Sequence, residues 1–175
     1  MRARFAVAAA SVAIAFSQCG GSSSTPSAPT ERTTAAQPAP SSPVATPQCN
    51  ASLWAHVYDP GRLQIRDACR TVTGVITDQH TNEDGDVDVR LAVDPPYMNL
   101  LNANNISNLN GHLQTEAICQ APTQTADAAR ACAGFTGSVR IPPDGTHVQI
   151  TGTYTFDTFH GWMEIHPISV LTVIP

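Results

Sequence analysis

Two histidines, a tryptophan and a glutamate fall within seven residues near the end of the chain: His160, Trp162, Glu164 and His166 in HGWMEIHP. Imidazole and carboxylate suit zinc or another transition metal, and a neighbouring His and Glu can shift one another's pKa toward general acid and base work. On that reading His160, Glu164 and His166, joined by Glu116 from an earlier strand, describe a metal-binding protein or a metal-dependent hydrolase. Geometry limits the idea. At roughly 3.4 Å per residue, Glu164 and His166 lie about 7 Å apart on one strand face, and a straight strand puts His160 about 20 Å from His166. One ion reaches both histidines only if the chain folds back at Gly161. The preferred expectation is a polar network at a barrel opening, with Glu164 and His166 bonded to each other or to backbone and Trp162 filling the core. Where that face is open, Trp162, Glu164, His166 and Glu116 are the candidate ligand-binding residues.

Other chemistries find less support. Asp84, Asp86 and Asp88 form a carboxylate stripe near Glu83 and Asp78, yet the spacing lacks the twelve-residue loop and final glutamate of an EF-hand, so it reads as a solvated turn. Ser52, Ser107, Ser138 and Ser169 sit in no GxSxG context. His56, His80, His112 and His147 are scattered and read as surface residues. The chain has no lysine, which excludes a P-loop and Schiff-base chemistry. No catalytic residue is assigned, and a divalent metal is the one cofactor left open.

The elements that must position HGWMEIHP follow from periodicity. Val148, Ile150, Gly152, Tyr154 and Phe156 alternate with Gln149, Thr151, Thr153 and Thr155, a half-buried strand. Asp157 to Gly161 is a turn, and in the returning strand Trp162, Glu164 and His166 share one face while Met163, Ile165 and Pro167 share the other; extended structure continues over 168–174. Earlier, 71–77 (TVTGVIT) is a strand with Gly74 at a bend, 82–86 (NEDGD) a hairpin turn, and 87–93 the returning strand. A connection over 94–111 with six asparagines carries one helical turn near 97–101. A third strand spans 112–119, and 121–131 is the one credible helix, with Thr123 or Thr125 as N-cap. Val139 to Pro143 leads through Asp144 and Gly145 into the closing hairpin.

Three strands, a helix and two strands is the order of a five-stranded OB-fold-like Greek-key barrel, an all-β class with one small helix. The runs V-x-G-x-[VI] at 72–76, DGD at 84–86, G-x-L-x-x-E at 111–116 and the segment 145–167 ending in HGWMEIHP resemble a family of small exported bacterial and archaeal OB-type domains whose function is not established. Similarity covers roughly 60–175. Such relatives often carry His where this chain has Asp88, and the resemblance implies a fold rather than a reaction.

The start of the chain addresses it to the cell envelope. Arg2 and Arg4 precede an apolar run of twelve residues, Phe5 to Phe16, too short to span a bilayer and of the form of an export signal over 1–18. Cys19 directly behind it, followed by small residues, resembles the lipobox of bacterial lipoproteins, which implies acylation at Cys19 and a membrane anchor; plain secretion is the alternative. Residues 19–48, rich in Ser, Thr, Pro and Ala, cannot bury enough surface to offset chain entropy and form a disordered tether to a domain over 49–175. Four cysteines then remain, Cys49, Cys69, Cys119 and Cys132. Three connectivities exist, and pairing Cys49 with Cys69 and Cys119 with Cys132 is preferred, each short loop contributing about 3 kcal/mol in the chain-entropy model.

Setting aside Arg2, Arg4, Arg32 and Glu31, the 9 basic and 14 acidic residues become 6 and 13, so the domain carries −7. Such a surface is a poor nucleic-acid partner. The expectation is a noncatalytic, envelope-tethered binding module for a saccharide, peptide or protein, contacting it through the face of Trp162 and the asparagine-rich loop at 99–110.

Overall fold

A computed structural model describes residues 48–175; the export segment, Cys19 and nearly all of the tether lie outside the described residues. Five strands carry the domain: β1 (Leu63–Thr81), β2 (Val87–Val93), β3 (Leu113–Ala117), β4 (His147–Asp157) and β5 (Met163–Val173). Helices are short, α1 (Ala103–Asn108) and α2 (Ala126–Ala131), with 3-10 turns at Ala51–His56, Pro60–Arg62 and Pro95–Leu100. The strands pair in the order β1-β2-β3-β5-β4, and β4 pairs with β1 again, so the sheet closes on itself. Every pairing is antiparallel except β3 with β5, which run parallel through Gln114–Glu164 and Thr115–Ile165.

Closure depends on β1, whose 19 residues serve two partners: 63–75 pair with β4 and 74–81 with β2. One strand can do this only by bending, and its register shifts between Ile65 and Asp67, Asp67 and Arg70, and Ile76 and Asp78 mark the bulges where it does. Gly74 is common to both ladders, opposite Val93 and Val148; a Cβ there would run into the Ala92 carbonyl. What glycine serves here is that close approach; the register shifts lie to either side of Gly74 rather than at it. The strand is longer than the 71–77 expected, because LQIRDACR has little period of its own and is held extended by β4.

Val72, Ile76, Val89, Leu91, Leu113, Val148, Ile150, Ile165 and Ile168 form the principal core. Side chains alternate across a strand, so Gln114 and Glu116 of β3, and Glu164 and His166 of β5, point to the face opposite Leu113 and Ile165. All four are nonetheless buried. A smaller cluster of Leu53, Val57, Leu63, Ile118 and Cys119, with Trp54, Cys132 and Phe135 against it, gathers the start of the domain onto the segment after β3. Disulfides pin both parts, Cys49 with Cys69 and Cys119 with Cys132. They fit an oxidising compartment. Among the described residues no helix is long and apolar enough to cross a membrane.

The expected helix over 121–131 starts only at Ala126, where the Thr125 hydroxyl caps the Ala128 N–H at 3.3 Å. Residues 121–124 instead clamp the hairpin turn, with Ala121 N–H donating to Gly85 O and Gln124 N–H to Glu83 O. Gly85 has φ +87° and no room for a Cβ beneath Ala121, so only glycine lets these backbones meet. The connection 94–111 holds its 3-10 turn at Pro95–Leu100 and also α1, which was not expected; Asn102 and Asn105 close a capping box around its start.

Candidate functional site

The turn between β4 and β5 is built on one carboxylate. Asp157 is fully buried and accepts from Phe159 N–H (2.7 Å), His160 N–H (3.1 Å), the His160 ring at Nδ1 (2.8 Å) and the Arg62 guanidinium. Burial alone would raise its pKa; the bonds from His160, with Arg62 and Phe159 N–H, more than offset that and hold it below the ordinary carboxylate range. Asparagines of α1 latch the other side of the turn: Asn102 donates to Gly161 O (2.9 Å), Asn104 to His160 O (3.3 Å), and Asn105 exchanges bonds of 2.9 Å each way with the Met163 backbone. Three of the six asparagines of the connection therefore serve to fix the turn.

The consequence is a rigid turn that presents aromatic surface. Phe159 stands 79% exposed, the most exposed large apolar side chain among the described residues. With His160, Tyr58, Asp59 and Arg62 it lines a pocket of about 210 Å³. Trp162 is half-buried behind them. His160 stacks on it at 4.2 Å and 9°, and the Arg90 guanidinium lies 5.9 Å from its ring centre, within cation–π range. Trp162 therefore lies outside the principal core, with neighbours on its ring that bind it into the wall of the turn.

Its indole N–H leads inward to a sealed cluster, donating to Glu164 Oε2 at 3.0 Å. Glu164 Oε1 is 3.2 Å from His166 Nδ1, and Glu116 Oε2 is 3.0 Å from the same nitrogen. Gln114 donates weakly to Glu116 Oε1 at 3.4 Å. On the far side of the imidazole, Nε2 faces Asp86 Oδ2 at 3.9 Å, beyond hydrogen-bond range; the other oxygen of Asp86 accepts from Cys119 N–H at 2.7 Å. Exposure is 5% at Glu116 and 1% or less at Asp86, Glu164 and His166. Burial raises the Glu116 pKa strongly, against the pull of His166. Burial would lower that of His166, but Glu116, Glu164 and Asp86 outweigh it and raise it. Asp86 is pushed up to about 6, by burial first.

The sequence's candidates thus divide. Glu116, Glu164 and His166 meet, as expected of residues on one face of adjacent strands, but away from solvent rather than at an opening. His160 belongs to the turn and bonds Asp157. The donors able to surround one point are Asp86, Glu116 and His166, all within 4.8 Å of one another. Asp86 was read as part of a solvated turn, whereas Asp88 of the same stripe is half-buried against Asn82. Missed altogether were Tyr58, Arg62, Phe159 and Asp157 as pocket and support. The i, i+2 and i, i+3 spacing of Asp157 to Phe159 and His160 was the one available signal, that of an Asx turn. No protein-family model matches the chain, and no curated protein matches it.

Proposed function

We propose that the chain is an exported, envelope-tethered, noncatalytic binding module on an OB-type barrel, and that its ligand is a cell-envelope saccharide. The OB assignment is supported by the ring of pairings, the parallel β3–β5 contact, the long bent β1 shared between two ladders, and a short helix between β3 and β4. Export is supported by the charged and apolar start of the sequence, the cysteine after it and the two disulfides. Tethering through lipid at Cys19 follows from the resemblance to a lipobox.

The observation that carries the binding reading is the pocket of Tyr58, Asp59, Arg62, Phe159 and His160 on a turn that a buried carboxylate makes rigid. Leaving Phe159 in water forgoes roughly 1.5–3 kcal/mol of burial, while the turn beneath it is held by more bonds than a connection needs. Preorganised aromatic surface flanked by carboxylate, guanidinium and imidazole suits a sugar ring, whose apolar face stacks and whose hydroxyls bond the charged groups. At about 210 Å³ the pocket is smaller than the roughly 300–1,000 Å³ of sites that enclose a ligand. It therefore accommodates one unit of a polymer. The cleft of about 370 Å³ lined by Cys119, Gln120, Thr123 and Phe135 offers no ionisable side chain among its lining residues and suits such a ligand less.

Co-sedimentation with protease-treated envelope glycan tests this. Retention of the wild-type domain, lost in Phe159→Ala and Tyr58→Ala variants of unchanged stability, supports it; retention only by untreated envelope would give the ligand as protein or peptide. The metal-dependent hydrolase is less favoured, because Glu116, Glu164 and His166 are buried beyond a substrate's reach.

A further inference from the structure

The cluster behind Trp162 is a different matter from the pocket in front of it. Three polar atoms in it have no hydrogen-bond partner among the described residues, Gln114 Oε1, His166 Nε2 and Asp86 Oδ2, all on side chains about 1% exposed. A buried polar atom left unbonded costs about 1–3 kcal/mol, and here His166 Nε2 and Asp86 Oδ2 face each other across 3.9 Å. That gap is too long for a hydrogen bond but is what two ligands of one ion require: with bonds of about 2.0–2.2 Å, donors up to roughly 4 Å apart share a metal.

We propose that Asp86, Glu116 and His166 form a buried structural site for a divalent transition ion of the zinc type, which staples the 82–86 turn to β3 and β5. The three donors already lie within 4.8 Å of one another, so closure on an ion needs a contraction of less than about 1 Å. One imidazole and two carboxylates is a donor set that zinc and its neighbours accept, whereas calcium takes six to eight oxygens. The surroundings match what metal-binding histidines need. The nitrogen away from Asp86, Nδ1, lies 3.0 Å from Glu116 Oε2 and 3.2 Å from Glu164 Oε1; when Glu116 turns to the ion, Glu164, fixed by the Trp162 indole N–H, keeps the ring oriented. Charge points the same way: three carboxylates, Asp86, Glu116 and Glu164, are buried around one imidazole, and a dication would offset two of their three negative charges. The site is independent of the saccharide reading, and its burial makes it structural, filled by opening of the turn.

The test uses the full chain without a histidine tag, stripped with dipicolinate and titrated with Zn2+, bound metal being counted by elemental analysis. The proposal expects one tightly held equivalent, a rise in thermal midpoint on loading, and at least a hundredfold weaker binding in Asp86→Asn. Asp127→Asn, the same charge change on exposed α2, leaves binding as in the wild type. No stoichiometric uptake, or uptake unchanged in Asp86→Asn, overturns it. Should Asp86→Asn fail to fold, long-range 1H–15N spectra of the wild-type imidazoles decide. A zinc-dependent shift of His166 Nε2 supports the site, and shifts confined to His56, His80, His112 or His147 refute it.

Discussion

Replacing Asp157 with asparagine isolates the charge on which the β4–β5 turn rests. The amide oxygen of the new side chain retains an acceptor for the Phe159 and His160 N–H groups, bonded in the wild type at 2.7 and 3.1 Å. Lost are the ion pair with Arg62 and the acceptor for the His160 ring. Removing one partner of a buried ion pair costs about 3–5 kcal/mol. Arg62 keeps 17% exposure, so part of its charge stays solvated and the lower end applies, about 3 kcal/mol. At roughly 0.05–0.15 kcal/mol per residue the domain holds some 6–19 kcal/mol, so Asp157→Asn folds. With an unfolding entropy of about 2.1 cal/mol/K per residue, the loss lowers the melting temperature by roughly 11 °C. Urea titration under non-reducing conditions should show a lower midpoint at constant slope. The pH dependence has a defined sign. Asp157 titrates lower in the folded state, so its contribution is present above the unfolded carboxylate value of about 3.9 and is lost as pH falls through the depressed folded value. The gap between wild type and variant should narrow below about pH 4. A cost under about 1 kcal/mol at pH 7 would mean that solvent screens the pair, and the preorganised turn would fall with it.

Other expectations follow from single contacts. Gly74→Ala should destabilise by about 1–3 kcal/mol or more, since the new methyl meets the Ala92 backbone, which cannot yield as a side chain would; an unchanged denaturation midpoint would contradict the close approach of β2 to β1 at that position. Cys49→Ser with Cys69→Ser removes a crosslink spanning 20 residues and should cost about 3 kcal/mol, read as a lower urea midpoint. His147 Nε2 lies 3.0 Å from Asp94, and the bond the ring donates to that carboxylate, with one donated to the Pro175 carbonyl, raises the His147 pKa. Its contribution is therefore complete below about pH 6.5 and lost as pH rises through the higher folded value; an NMR titration of His147 that moves down in Asp94→Asn checks it.

What the sequence discloses and what it withholds have a physical division. Strand alternation reveals β2 to the residue and β4 within one or two, because Val89, Leu91 and Val93, or Val148, Ile150 and Tyr154, face one core. It misleads on the other face: Thr151 and Thr155 read as solvent-facing, and both are buried. Period two gives which residues share a side, never what covers that side. For the same reason Glu164 and His166 could be placed together and joined to Glu116, while their depth could not. Asp86 was hidden by its neighbours, since DGD announces a turn whether or not 121–124 later closes over it. The pocket unites Tyr58 and Arg62 with Phe159 and His160 from about a hundred residues away, through a β1–β4 ladder that starts at Leu63–Asp157. No local pattern carries that pairing. The asparagines show the opposite error, where an abundance of polar residues suggested a ligand surface and Asn102, Asn104 and Asn105 turned out to bind the chain itself.

The binding account is tested most directly by backbone amide NMR of the domain during titration with soluble, peptide-free envelope glycan fragments. The account predicts saturable shifts centred on Tyr58, Asp59, Arg62, Phe159 and His160, absent from the Phe159→Ala spectrum. Shifts centred on the 119–136 cleft, or none at millimolar glycan, would contradict it.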